Sequence, residues 1–242
     1  MIETTVRGPL SGMFAKVPSR YDFLNRLLTL RRDVHWRDLA AREILRGAPR
    51  RFLDLGCGTG DFAVHVARHS GPELAITGVD FIPAMLASAG EKARKAGVSG
   101  RIDWVAADAA QLPFPDGHFD AVGLAFSFRN LTHRNPGRDR HMAEIARVTR
   151  PGGKLVIIET SQPGNRLVRA GFHLYMRGVV ARVGGILSDR GAYQYLAESA
   201  IGFMAPGEAG DLLERSGFAV DILRPLAGGI ASLIAGTRRG RQ

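Results

Sequence analysis

The chain has 242 residues, 45% of them hydrophobic and 23% charged, with a formal net charge of +10. That length suits one α/β domain with a full core, or one domain plus a small cap, and the composition is ordinary for a soluble globular protein. A lone cysteine, Cys57, excludes an internal disulfide framework. Met1-Ile2-Glu3-Thr4-Thr5 lacks the charged-then-apolar order of a signal peptide, and the apolar run 226–236 is too short and glycine-rich to span a bilayer. A cytoplasmic protein is the expectation.

Residues 1–12 show no periodicity and are expected to form a loose tail. From Met13 to about Gly47 the pattern is helical. Phe14 and Val17 precede Tyr21, Leu24, Leu27 and Leu28 at three- and four-residue steps. A second helix is predicted from about Asp33, through Trp36, Leu39 and Ala40, to Ile44 and Leu45, stopped by Gly47-Ala48-Pro49. Residues 1–47 therefore make a tail and helical cap, and residues 48–242 the main domain.

In that domain strands and helices alternate. Strands are predicted at Arg51–Leu55, Ala75–Val79, Ile102–Ala106, Ala121–Phe126 and Leu155–Glu159. Helices are predicted at Phe62–Arg68, Pro83–Lys95 and Arg138–Thr149, the last stopped by Pro151-Gly152-Gly153. The Ala121–Phe126 run is apolar throughout, as a central strand would be. After Pro163 the rhythm breaks. About 164–205 holds no clear strand and is expected to be a helical insert. A helix at Asp211–Gly217 and two strands at Ala219–Arg224 and Ala231–Gly236, a hairpin at the sheet edge, close the chain. The fold class is α/β, a doubly wound, mostly parallel seven-stranded sheet.

The chemistry starts at Leu53-Asp54-Leu55-Gly56-Cys57-Gly58-Thr59-Gly60-Asp61, followed by Val79-Asp80. A strand that runs into a glycine turn, with a carboxylate at the end of the next strand, is the layout of a nucleotide-binding first β-α-β unit. The spacing is G-x-G-x-G, so no third glycine sits where a pyrophosphate needs it. A cofactor with a ribose and no phosphate fits better, and S-adenosylmethionine is such a cofactor. Gly56 and Gly58 let main chain approach its methionine part. Asp54 either orders the turn or reaches the ammonium group, and Asp80 is placed to accept the ribose hydroxyls. Asp108, after the third strand, can accept from an adenine amine while Ala109 leaves room for the ring. The bland alternatives are a tight loop for the glycines and a cap for Asp108.

Phe119-Asp120-Ala121-Val122 and Arg147-Val148-Thr149-Arg150-Pro151-Gly152-Gly153-Lys154-Leu155 complete a set over roughly residues 50–160 that resembles the class I S-adenosylmethionine-dependent methyltransferases. A closer resemblance extends over nearly the whole chain. Phe14, Tyr21-Asp22 with Asn25, His35-Trp36-Arg37, Phe128-Arg129-Asn130-Leu131-Thr132 and Tyr193-Gln194-Tyr195-Leu196-Ala197-Glu198-Ser199 resemble the signatures of the ubiquinone/menaquinone biosynthesis C-methyltransferase family. That resemblance implies methylation of a ring carbon of a polyprenylated hydroquinone. It implies cofactor contacts from Thr59, Asp80, Asp108 and Ala109, catalytic roles for Arg129 and Asn130, and a substrate site that includes Phe14, Tyr21 and Tyr193. Arg129 would favour the ionised ring hydroxyl as a fixed cation, since guanidinium does not deprotonate easily, and Asn130 would orient the ring oxygen. The bland alternative for Arg129 is a structural salt bridge. Two departures stand out: Ala125-Phe126-Ser127 replaces the family's usual Ser-Phe-Gly, and Glu159-Thr160-Ser161 its Glu-Phe-Ser. The first removes one cofactor hydrogen bond and adds a hydroxyl at Ser127 that is expected to narrow the site.

Residues 1–52 hold 11 basic and 5 acidic side chains, a field that favours anionic partners. On a helical wheel Arg166, Arg169, His173 and Arg177 share one face, with Val168, Phe172, Tyr175 and Val179 opposite. That pattern fits either a membrane-surface element or a core-packed helix with a solvated basic face. The expected partner is a lipid-soluble quinol, with peripheral association at the inner face of the membrane through basic helices. A homodimer is admissible, and nucleic acid is not expected because aromatics are 7% and no stacking platform is visible. His65 and His69, a turn apart and a turn after Asp61, lack a ligand cluster, so no metal is expected. Cys57 is expected to be a small packing residue. Rival readings are a phospholipid or other small-molecule methyltransferase, a non-catalytic cofactor-binding protein, and an RNA-binding protein on the same fold.

Overall fold

The computed structural model describes residues 26, 29, 31–180, 182 and 190–240. The expected tail, the first cap helix and the candidate substrate residues Phe14 and Tyr21 lie outside them. In chain order the elements are α1 (Arg32–Arg46), β1 (Arg51–Leu55), α2 (Asp61–His69), β2 (Ala75–Asp80), α3 (Pro83–Lys95), β3 (Ile102–Ala106), β4 (Phe119–Ala125), α4 (Phe128–Thr132), α5 (Arg138–Val148), β5 (Thr149–Thr160), α6 (Arg166–Tyr175) running into a π-helical turn (Met176–Val180), α7 (Arg190–Ile201), α8 (Pro206–Arg215), β6 (Phe218–Leu226) and β7 (Ala231–Arg238).

The strands form one sheet in the order β3-β2-β1-β4-β5-β7-β6. β1 through β5 are mutually parallel, and β7 runs antiparallel between β5 and β6. The predicted terminal hairpin is thus present, with β7 inserted beside β5 and β6 at the edge. The order reverses between β1 and β4, so the crevice outside their carboxyl ends is where such a sheet holds a ligand.

Strand residues alternate between two layers. Phe52, Ile76 and Val156 pack under α1, α2 and α3 with Trp36, Ala40, Ile44 and Phe62. Leu53, Leu55, Val122, Leu124 and Leu155 face the other way, against Met142 and Ile145 of α5 and Leu212 and Leu213 of α8. Burial on both faces explains why the central strands are near-continuous apolar runs. A smaller satellite core joins Phe172, Met176 and Val180 to Tyr193, Ala197 and Ala200 of α7. Among the described residues no helix is long and apolar enough to cross a membrane.

The differences from expectation have local causes. α4 went unrecognised because one turn of five residues carries no readable period. Pro151-Gly152-Gly153 follows α5, which ends at Val148 as expected, but the triplet lies inside β5, which starts at Thr149; there the β4 register shifts and Gly152 takes a φ of 72°. α8 starts at Pro206 rather than near Asp211, because Glu208 reaches back to accept from the Ala205 N–H at 2.7 Å. α6 is capped by Asn165, whose Oδ1 accepts from the N–H groups of Leu167 and Val168.

Gly123 sits mid-β4 where a Cβ would come within 2.7 Å of Phe62 Cε1 and 2.9 Å of Phe52 Cε2. Those two rings meet edge to face at 5.8 Å and have no room to part. Gly123→Ala is therefore expected to cost about 1–3 kcal/mol by overpacking. Thermal denaturation should show a melting temperature lower by roughly 3–10 °C. An unchanged midpoint would mean that the two rings yield freely.

Candidate active site

A cavity of about 910 Å³ opens at the carboxyl ends of β1, β2, β4 and β5. Its floor is the glycine turn after β1. The N–H groups of Gly56 and Cys57 donate to the Val79 carbonyl at 2.8 and 2.9 Å, which folds the turn over the end of β2. Gly56 has φ 69°, and a Cβ there would strike Ser127 Cβ at 2.6 Å, so the position needs glycine twice over. Gly58 has φ 54° and faces open space, so glycine serves backbone conformation alone there.

Two carboxylates define the polar end. Asp80 Oδ2 accepts from the Gly58 N–H at 2.8 Å and Oδ1 from the Ile82 N–H at 2.9 Å. Burial raises its pKa, and those backbone donors oppose the rise. Asp54 is more deeply buried. Its Oδ2 accepts from the Ala63 N–H at 3.0 Å, while Oδ1 has no hydrogen-bond partner although the residue lines the cavity. Desolvation pushes the Asp54 pKa up to about 7, against the pull of the Ala63 N–H and of Arg37. An orphaned buried carboxylate oxygen at a cavity wall is an acceptor in want of a cationic or N–H donor. Burial also raises the Cys57 thiol pKa, and the side chain packs under the turn beside Gly78, as a small filler does.

Thr59 is buried, and its Oγ1 accepts from Lys92 Nζ at 2.9 Å. Lys92 also pairs with Asp61, which is shared with Arg26 at 3.1 Å and Arg37 at 3.9 Å. Asp108 Oδ1 accepts from the Ala110 N–H at 2.8 Å, so the bland reading of an ordered turn holds for that oxygen; Asp108 and Ala109 both line the cavity. The sequence reading did not single out Phe81 and Ile82. They follow Asp80 on the same wall, with Phe81 48% exposed at the rim. A bulky apolar pair next to a strand-end acid was the signal that could have found them.

The other end is built on α4. Arg129 is buried and lines the cavity. Its N–H donates to Glu159 Oε2 at 3.0 Å, its Nε lies 3.8 Å from Glu159 Oε1, and its Nη1 donates to Ser199 Oγ. The salt-bridge alternative is thus present together with access to the cavity. Next to it, Asn130 Oδ1 is buried without a partner. Glu159 Oε1 accepts from the N–H and Oγ1 of Thr160. Around these groups the wall turns apolar, with Trp36, Phe126, Phe172, Met176, Leu196 and Ala200.

Two expectations need correction. Tyr193 is not on the cavity wall. It is 2% exposed and packs in the satellite core with Phe172, Ala197 and Ala200, and from α7 it is Leu196 and Ala200, nearer the C-terminal end, that line the cavity. The residue of that segment that reaches Arg129 is Ser199. Nor does the Ser127 hydroxyl stand free in the site: it donates to the Leu55 carbonyl at 2.7 Å and ties the end of β4 to the end of β1. Phe126, one residue earlier, holds φ 63°, fixed by its N–H on the Ile158 carbonyl and by the Arg37 guanidinium 5.1 Å over its ring. Away from the cavity, His65 Nε2 lies 3.3 Å from Asp38 Oδ1 and stacks on His69. Among the described residues no group of three His, Cys, Asp or Glu is placed to hold a metal.

The model of the ubiE/COQ5 methyltransferase family matches residues 3–238. The demethylmenaquinone methyltransferase of Deinococcus radiodurans is 42% identical over 94% of this chain and 91% of its own length. The ubiquinone/menaquinone biosynthesis C-methyltransferase UbiE of Geobacter sulfurreducens is 38% identical over 98% of this chain and 92% of its own. Among solved structures, an O-methyltransferase family protein from Burkholderia thailandensis superposes with a TM-score of 0.65 at 20% identity, over 93% of this chain and 60% of that one, a likeness of fold.

The raised Asp54 pKa has a consequence for stability. The folded chain keeps this proton up to a pH near 7, whereas the unfolded chain gives it up near 3.8. Between those values the native state binds more protons, so this group costs stability as pH rises and costs no more above 7. Asp54→Asn should therefore gain on the parent in urea midpoint between pH 5 and pH 8. An equal gap at both pH values would show that Asp54 ionises at its ordinary pKa.

Proposed function

The chain belongs to the ubiE/COQ5 methyltransferase family, and we propose that it is an S-adenosylmethionine-dependent C-methyltransferase of quinone biosynthesis acting on a reduced, prenylated hydroquinone. The observation that carries this reading is the single cavity: strand-end carboxylates at one end share one space with Arg129, Asn130 and an apolar wall at the other. A polar cofactor and a lipid-like ring can meet there without water between them.

The residues fit the cofactor. The orphaned Asp54 Oδ1 matches an α-ammonium group, Asp80 retains acceptor capacity for ribose hydroxyls, and Gly58 leaves its main chain bare, while Gly56 lets the turn close against Ser127. Thr59, Asp108 and Ala109 would complete that subsite. When bound, S-adenosylmethionine supplies an electrophilic methyl group to the ring carbon.

Arg129 has a narrower task. Glu159 and Ser199 hold its guanidinium, so it stands as a fixed cation beside the ring. That charge favours the phenolate over the phenol and so raises electron density on the adjacent ring carbon. Asn130 Oδ1 can accept from a ring hydroxyl and set which carbon faces the methyl donor. The proton lost from the ring carbon after methyl transfer leaves in a separate step.

Two substitutions separate the subsites. Asp80→Ala should weaken S-adenosylmethionine binding by about 100-fold, read by calorimetry, since it removes a buried charged acceptor. Arg129→Ala should leave that affinity within a few-fold and lower kcat by about 100-fold or more. The assay uses labelled cofactor with reduced short-tail naphthoquinol, its benzoquinol counterpart and phosphatidylethanolamine. Methylation of a quinol selects the head group. Transfer to phosphatidylethanolamine instead, or full activity in Arg129→Ala, would overturn the assignment.

A further inference from the structure

Seven large apolar side chains stand exposed among the described residues, and four of them sit on α6 and its π-helical extension: Leu167 at 83%, Leu174 at 74%, Val179 at 40% and Val168 at 37%. On the wheel drawn from sequence, Val168 and Val179 share the face opposite the arginines with Phe172 and Tyr175; in the structure both valines are exposed. The buried side is instead Phe172, Met176 and Val180, which pack on α7. Leu167 and Leu174 are seven residues apart and so lie two turns along one ridge. Neither lines the cavity, and no packing in the described structure accounts for them.

The ridge is flanked by charge of one sign. Arg166 and Arg177 are exposed beside it and Arg182 is exposed beyond it, whereas His173 turns inward to Gln162. From Ser161 to Ser188 the sequence contains no aspartate or glutamate. Aliphatic side chains in full exposure, bordered by arginines, match the boundary of a bilayer: leucine enters the acyl region and arginine meets phosphate. A protein partner would be met by aromatic anchors, and this ridge has none. The next residue around the helix, Val168, belongs to the cavity wall together with Phe172 and Tyr175. The ridge is therefore the outer lip of the same cavity.

We propose that α6 docks the protein on an anionic phospholipid bilayer through Leu167 and Leu174, with Arg166 and Arg177 on lipid phosphates, so that a lipid acceptor passes from the bilayer over Val168 into the cavity. The docking stands on the ridge itself; the passage of the acceptor rests on the function proposed above.

The test uses the full chain and sedimentation with phosphatidylcholine vesicles, with and without phosphatidylglycerol. The parent should partition onto the anionic vesicles and weakly onto neutral ones. The exposed pair Leu167→Ser/Leu174→Ser, and separately Arg166→Glu/Arg177→Glu, should each lower partitioning by about tenfold or more. Neither pair touches the cavity, so turnover of a water-soluble short-tail quinol should be unchanged, while turnover of a long-tail quinol in anionic vesicles falls with binding. Equal partitioning of parent and both variants, or of the parent onto neutral and anionic vesicles, would overturn the docking surface. Loss of vesicle binding in the variants without quinol turnover in any protein would uphold docking and refute the acceptor instead.

Discussion

A guanidinium as deeply buried as that of Arg129 needs partners, and the acceptor half of this cavity is arranged around supplying them. Removing an arginine from water costs several kcal/mol unless hydrogen bonds and an opposite charge replace its hydration. Here Glu159 comes from the end of β5 and Ser199 from α7. One side chain therefore fixes three elements at once: the short helix that follows β4, the end of a central strand, and the helical insert. Gln162, two residues past β5, adds polar ties to His173 of α6 and to the Ala200 carbonyl of α7, so the insert is oriented by hydrogen bonds as well as held by apolar packing.

The opposite end of the cavity works by a deficit. Asp54 is buried and Asp80 half-buried, and backbone N–H groups alone hold their carboxylates, one on Asp54 and one on each oxygen of Asp80. Burial raises both pKa values. The site is thus short of donors, and a ligand that brings an ammonium group and hydroxyls supplies what the fold withholds. Asp61 shows the contrast. It sits nearby, but Arg26, Arg37 and Lys92 surround it, and its pKa is lowered. Two neighbouring acids are therefore open to a ligand and the third is committed to structure, a division made by neighbours rather than by residue type.

That division marks how far the sequence could be followed. The parallel strands were legible because burial on both faces leaves continuous apolar runs, and the glycine turn was legible because backbone conformation restricts residue choice. Asp54, Asp80, Asp108, Arg129 and Asn130 all reach the cavity because strand ends and the turns after them have only one crevice to face. What stayed hidden depends on rotation within helices and on long-range pairing. Tyr193 and Ser199 belong to one motif, and only the phase of α7 decides which of them approaches Arg129. Ser127 looked like an obstruction because its partner, the Leu55 carbonyl, lies 72 residues away.

The two departures from the family pattern follow the same logic. Moving the hydroxyl from position 125 to position 127 takes it from the strand to the connection after it, where it bonds β1 rather than the open crevice. The Ser127 Cβ then presses on Gly56 so closely that glycine is obligatory in the turn. At Thr160, where the family usually carries phenylalanine, the hydroxyl and N–H both donate to Glu159 Oε1, the oxygen that lies nearest Arg129 Nε. The backbone N–H bond is open to any residue at 160, so the exchange replaces an aromatic surface at the cavity with one side-chain hydrogen bond to the carboxylate that positions the arginine. The charge balance at the acceptor end is in that way tuned from the third residue in line, one that has no direct contact with Arg129 among the described hydrogen bonds and ion pairs.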